Sequence, residues 1–214
     1  MTEALLEAPR TKSMPAGGVI RGRVTDAHVA FYREYGFLVY EDAFAREEIE
    51  ELRRDTVKFC RGGYGKIRGG WFEGSESIHG QPPASLSDEE VMRQFLCIHF
   101  PHKVSQVMLN SILHRANVEV LTRTLSPNVK CMQSMLFIKA AGKPGQAWHQ
   151  DEYYIPTRDR SLAGAWIAID DADIENGCLW VVPGSHRQGY LFPFRPPADL
   201  AEYDGSDECH GFDP

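Results

Sequence analysis

Hydrophobic positions divide the chain into a helical first half and an extended second half. In the first half they recur every three to four residues. Thr25 can cap a helix over Asp26–Tyr35, with Ala27, Phe31 and Tyr35 on one face and Gly36 as its stop. Phe37–Tyr40 reads as a short buried strand. A second helix is expected over Arg46–Phe59, with Ile49, Leu52, Thr56 and Phe59 as its inner stripe. Glu47, Glu48, Glu50 and Glu51 then form its solvated face. Ser87-Asp88-Glu89-Glu90 is a capping box that opens a helix aligning Val91, Phe95 and Ile98. Further helices are expected over Lys103–Arg115 and Val118–Leu125, and Ser126-Pro127-Asn128 closes the helical half.

The period then changes to two. Along Val129–Lys139, Cys131, Gln133, Met135, Phe137 and Lys139 share one face, and Met132, Ser134, Leu136 and Ile138 the other. Polar Gln133 and Lys139 among apolar neighbours suit either a pocket lining or a solvent-facing edge. Ala165–Asp170 alternates again. Asn176-Gly177 is a hairpin turn, Cys178–Val182 a returning strand, and Pro183-Gly184 a further turn. Short strands broken by Asp, Asn, Gly and Pro predict an antiparallel barrel or sandwich, so the fold class is α+β.

Arg61–Pro83 is rich in Gly and aromatic residues and too long for a plain connection, so it is a candidate lid or binding loop, with His79 a candidate substrate contact. The domain reading is a flexible leader over 1–24 and one domain over 25–214. A net charge of −7 argues against nucleic acid or an anionic membrane as partner. No apolar run approaches the ~20 residues of a bilayer span. Five widely spaced cysteines without a C-x-x-C suit reduced thiols and a cytoplasmic setting.

The candidate chemistry is Trp148-His149-Gln150-Asp151. Gly142, Pro144 and Gly145 before it and Pro156 after it oppose a helix. On an extended chain, residues two apart point the same way, so His149 and Asp151 would offer one imidazole and one carboxylate together. That is two-thirds of the two-His-one-carboxylate set that holds non-haem Fe(II). Alone, the pair is a weak motif, and a strand-end His bonded to a nearby Asp would look the same.

Context strengthens it. Trp148-His149-Gln150-Asp151 is followed by Ala165-Trp166-Ile167-Ala168-Ile169-Asp170-Asp171-Ala172, Glu175-Asn176-Gly177-Cys178-Leu179-Trp180 and Pro183-Gly184-Ser185-His186. With Tyr35-Gly36-Phe37-Leu38-Val39 ahead of them, these runs resemble the phytanoyl-CoA dioxygenase family, in order, over about residues 26 to 190. The resemblance implies a double-stranded β-helix, a cupin-like jelly roll, with N-terminal flanking helices. It implies an Fe(II)- and 2-oxoglutarate-dependent dioxygenase acting on a small organic or lipid-like substrate. By that likeness His149 and Asp151 are metal ligands, and Gln133, Lys139 and Trp166 line the 2-oxoglutarate or substrate pocket. Related halogenating enzymes lack the carboxylate, so Asp151 points to hydroxylation.

The family's second iron-binding histidine, and the basic residue that pairs with 2-oxoglutarate, lie beyond the Pro-Gly-Ser-His turn. Residues 187–214 show no counterpart, so the jelly roll is expected to lack its last strands, with His210 as a substitute ligand in one alternative. A non-catalytic jelly-roll binding protein with an incomplete metal site is the competing reading. His28, His99, His102 and His114 are expected to be packing or surface residues, and His186 a rim or structural one.

Overall fold

The structure is a computed structural model that describes residues 15–65, 72–73, 82–188, 191–196 and 206–212. The leader up to residue 14, most of the 61–83 loop and His79 lie outside the described residues. In chain order the elements are β1 (Val19–Ile20), α1 (Asp26–Tyr35), β2 (Val39–Tyr40), α2 (Arg46–Cys60), β3 (Phe72–Glu73) and α3 (Asp88–Met92). They continue as β4 (Cys97–His99), α4 (Gln106–Ile112), α5 (Arg115–Thr124), β5 (Met135–Phe137), α6 (Asp151–Tyr154), β6 (Phe194–Arg195) and β7 (Glu208–Cys209).

The first helix has its expected bounds for local reasons. Thr25 caps it, and the His28 ring takes the place usually held by Glu or Gln by accepting from Thr25 N at 3.1 Å. Gly36 ends it with φ +81°, donating to Tyr32 O at 2.8 Å. β1 and β2 pair in parallel, and Ile20, Val24 and Val29 make a small core against Leu38, Tyr40 and Val120. α5 closes this unit: Glu119 accepts from Val24 N at 3.1 Å and Arg123 pairs with Asp26 at 2.6 Å.

The main core joins α2, α3, α4 and the antiparallel sheet β3-β4-β5. Leu52, Phe59, Val91, Phe95, Ile98, Met108, Leu136 and Ile138 meet there. α2 presents the expected stripe, and adds Asp55, which is 5% exposed. That carboxylate accepts from the Tyr64 hydroxyl and from Ser105 Oγ at 2.5 Å, while Ser105 caps α4 by accepting from Met108 N at 3.1 Å. A buried carboxylate thus ties α2, α4 and the start of the 61–83 loop together.

Several expectations require correction. The helix opened by Ser87 stops at Met92, and Cys97–His99 is a strand, because β4 gains a ladder on both edges and buries Ile98 completely. The helix expected over 103–115 is interrupted: Pro101–Lys103 is a 3-10 turn, and Ser105 starts a new helix. α5 starts at Arg115, three residues before the expected Val118, and His114 caps it, its Nδ1 accepting from Ala116 N at 3.2 Å.

The mixed α+β class stands, but the described residues form no double-stranded β-helix. Their sheets have two, three and two strands. A strand needs a partner, and among the described residues 164–170 makes no backbone hydrogen bond. That segment is held instead by its side chains, Ile169 against the main core and Asp170 on Arg53 at 2.9 Å. The Asn176-Gly177 turn winds on itself: Asp173 Oδ1 accepts from Glu175 N and Asn176 N, and Cys178 N returns to Asp173 O at 2.9 Å. Such a turn does not lay Cys178–Val182 beside Ala165–Asp170.

Candidate functional site

The chain around His149 is stapled in place by the segments that follow it. Trp148 O accepts from Cys209 N at 2.6 Å. Gln150 Oε1 accepts from Phe192 N at 2.8 Å, and the Trp148 and Phe212 rings meet edge to face at 5.8 Å. Gln150 is extended, and Asp151 begins α6, so the backbone turns between the two candidate ligands instead of continuing as a strand. Their side chains still converge, with His149 Nε2 3.4 Å from Asp151 Oδ1. Side-chain exposures of 26% and 56% leave the pair open to solvent.

The ring's other nitrogen sets the chemistry. His149 Nδ1 lies 2.8 Å from Ala147 O. A carbonyl can only accept, so Nδ1 carries a proton, and in the neutral ring Nε2 presents its lone pair to the carboxylate. At 3.4 Å the contact is longer than the ~2.7–2.9 Å of a charge-assisted hydrogen bond. Two donors bound at right angles to one metal at ~2.1 Å would stand about 3 Å apart. The donor set and its spacing therefore fit a divalent cation bridging imidazole and carboxylate. An Nδ1–H held by a backbone carbonyl is the usual way a metal-binding histidine is oriented.

The loop after the pair is closed by Glu152, which accepts from Thr157 N, Thr157 Oγ1 and Leu162 N at 2.5, 2.7 and 3.3 Å. Burial alone would raise this carboxyl's pKa, but these hydrogen bonds outweigh it and hold the group below the usual glutamate range. Gly164 passes close by, where an added Cβ would lie 3.4 Å from Asp151 Oδ2.

The other expected pocket residues are not gathered here. Gln133 Nε2 donates to His99 Nδ1 at 3.1 Å. Lys139 donates to Pro144 O at 2.5 Å and is exposed, while Leu136 and Ile138 on the opposite face are buried. Lys139 thus faces solvent, whereas Gln133 is half-buried against His99. Trp166 is 55% exposed. Among the described residues no third His, Cys, Asp or Glu joins His149 and Asp151, and His210 is tied by its backbone to Pro193 O at 3.0 Å. His186 is structural, with Nε2 donating to Arg33 O at 3.1 Å at the end of α1. His102 sits 2.5 Å from Ser134 Oγ, with its pKa lowered by burial and then by Lys103. His114 stacks on Phe44 at 4.0 Å.

Sequence reasoning missed a cavity of about 170 Å³ between His149 and the C-terminal end of α1. Its walls include Tyr35, Phe37, Trp148, Trp180, Phe192 and Phe212. The aromatic residues on either side of the Pro183-Gly184 turn were its available signal, but nothing local brings them together.

Comparison with known proteins bears on what this arrangement does. The family model for phytanoyl-CoA dioxygenase matches residues 32–208. The chain is similar to a phytanoyl-CoA dioxygenase of Arabidopsis thaliana, 26% identical over 201 residues, covering 82% of this chain and 69% of that protein. It is similar to a peroxisomal phytanoyl-CoA dioxygenase of Bos taurus, 31% identical over 182 residues, covering 78% of this chain and 49% of the relative. A shorter stretch of 85 residues is 39% identical to phytanoyl-CoA dioxygenase domain-containing protein 1 of Mus musculus, covering 38% of this chain and 29% of that one. No solved structure gives a significant match.

Proposed function

The chain belongs to the phytanoyl-CoA dioxygenase family, and from that premise we propose that it is an Fe(II)- and 2-oxoglutarate-dependent dioxygenase hydroxylating a small organic or lipid-like substrate. In this reading His149 and Asp151 are two of the protein ligands. The observation that carries it is the imidazole whose Nδ1–H is spent on Ala147 O while Nε2 faces a carboxylate oxygen at 3.4 Å. Fe(II) with 2-oxoglutarate supplies the oxidising chemistry when bound.

The chain's own residues orient and enclose. Ala147 O fixes the His149 ring, and Gln150 and Trp148 anchor the chain on either side of it to Phe192 and Cys209. Glu152 ties the 157–162 loop back to α6, next to Asp151. Asp151 keeps a carboxylate where a halide would otherwise bind, which favours hydroxylation. Gln133, Lys139 and Trp166 are proposed to meet 2-oxoglutarate only if the 129–139 and 165–170 segments enter the family's double-stranded β-helix. Their alternation, and the exposure of Met135 and Trp166, support that pairing.

A second reading, a non-catalytic binding protein, is favoured by one observation: the described residues bring two metal donors together and not three. Succinate formation from 2-oxoglutarate under air separates the two. The oxygenase reading expects Fe(II)-dependent succinate that disappears in Asp151→Ala. No succinate from folded, iron-loaded protein would favour the second.

A further inference from the structure

The Asn176-Gly177 turn carries a chemistry of its own. Of the four asparagines in the chain, Asn176 alone precedes a glycine. A backbone nitrogen can attack the side-chain carbonyl of the asparagine before it, and glycine has no side chain to hinder that approach. Asn110 and Asn117 lie inside α4 and α5, and Asn128 precedes the β-branched Val129.

The two reacting groups are held very differently. Gly177 is exposed, sits at φ +89°, and has nothing within 4 Å of where a Cβ would stand. Its N–H donates to none of the described residues. The Asn176 carboxamide, in contrast, is clamped at both ends. Nδ2 donates to Asp171 O at 2.8 Å, and Oδ1 accepts from Asp173 N at 2.8 Å. Asn176 N donates to Asp173 Oδ1 at 3.0 Å, which fixes the backbone beneath it. The amide is thus tied to residues 171–173, whereas reaction needs it to swing onto the Gly177 nitrogen.

We propose that Asn176 is a deamidation site gated by its own turn, protected while the clamp holds and reactive whenever the turn opens. Gly177 N bonds to Asn176 Cγ, the Cγ–Nδ2 bond breaks, and Nδ2 leaves as ammonia with the proton from Gly177 N. Water then opens the cyclic imide to an aspartate or its β-linked isomer, with no oxidant or metal taking part. The product cannot rebuild the clamp. A carboxylate has no proton to donate to Asp171 O, and its charge joins those of Asp171, Asp173 and Glu175. The change is therefore one-way, and it loosens the turn that leads into Trp180, part of the cavity wall beside His149. None of this depends on the oxygenase reading.

Tandem mass spectrometry of the full chain, held at mildly alkaline pH, tests it by following the appearance of acid at position 176. Two hydrogen bonds of ordinary strength must break before Cγ can move, so the folded chain should convert roughly 10- to 100-fold more slowly than the same chain in guanidinium. Asp173→Ala removes the acceptor of Glu175 N and Asn176 N from an exposed turn, and should speed the reaction of the folded chain ~5-fold with an unchanged far-UV circular dichroism spectrum. In Asn176→Asp, hydrogen exchange at Cys178 N, bound to Asp173 O at 2.9 Å, should quicken ~5-fold. Equal conversion of folded and unfolded chains, no conversion of either, a wild-type rate in Asp173→Ala, or unchanged exchange in Asn176→Asp would overturn the assignment. The comparison of folded with unfolded chain needs no variant, so it stands whatever the substitutions do to folding.

Discussion

Asp55→Ala is the most informative test of how the helical half is held together. The carboxylate is 5% exposed and accepts from two hydroxyls, Tyr64 on one side and Ser105 on the other. A hydrogen bond to a charged group contributes roughly 1.5–3 kcal/mol. Two of them set an upper bound of about 6 kcal/mol, reduced because the variant no longer buries a charge. A net loss of about 3 kcal/mol is expected, which for a chain of this size lowers Tm by roughly 6–12 °C. Urea unfolding followed by far-UV circular dichroism reads the loss. Ser105→Ala should cost about 2 kcal/mol, because one donor to Asp55 and the α4 cap disappear together. Since the two residues touch, the double variant should deviate from additivity by about 1 kcal/mol or more. The consequence reaches beyond stability, because Tyr64, packed on Phe59 at 4.4 Å, leads into the 61–83 loop. Losses below about 1 kcal/mol in Asp55→Ala, or additive behaviour of the pair, would refute the idea that this carboxylate pins the three segments.

Gly36→Ala adds a side chain to a left-handed residue, and its Cβ would overlap the His186 ring. Gly22→Ala, at φ +100° with open space around it, isolates the backbone cost of about 1–2 kcal/mol. Thermal unfolding should show Gly36→Ala as the more damaging of the two, and equal effects would contradict the contact between α1 and the Pro183–His186 turn. Burial pushes the Cys60 thiol up to about 12, whereas Cys131 is exposed, so a disulfide reagent at mild alkaline pH should label Cys131 in the native protein and reach Cys60 only after unfolding. The Glu152 carboxyl, held below its ordinary value by Thr157 and Leu162, stabilises its loop above that ordinary value and loses the contribution as pH falls through the lowered one. A carbon-13 NMR titration should place its midpoint below that of a free glutamate, and a midpoint above it would contradict the hydrogen bonding described.

The sequence was most legible where local rules act alone. Thr25 and Gly36 marked both ends of the first helix, and the period of Ile49, Leu52, Thr56 and Phe59 gave the second its inner face. It was least legible where tertiary pairing overrides periodicity. Val91, Phe95 and Ile98 keep helical spacing, yet Ile98 sits in a strand because β3 and β5 flank it. The alternation of Ala165–Asp170 is real in the sequence, but a strand forms only with a partner on its edge. At the candidate site, spacing foretold that His149 and Asp151 converge, though a turn into α6 brings them together and not a continuous strand. Asp55 escaped notice because a single acid on an amphipathic helix carries no local mark of the hydroxyls that will meet it. The cavity escaped because Tyr35, Trp180 and Phe212 are joined only by the fold.

The most direct measurement of the central claim is an anaerobic titration of Fe(II) and 2-oxoglutarate into the wild-type chain, His149→Ala and Asp151→Ala, following visible absorbance. Asp151 is exposed and His149 lies at the surface with about a quarter of its side chain exposed, so the variants should keep the wild-type fold, checked by an unchanged far-UV circular dichroism spectrum. The account predicts a saturable metal-to-2-oxoglutarate charge-transfer band in the wild type that neither variant develops. Folded wild-type protein without the band, or a band that survives either substitution unchanged, would contradict it.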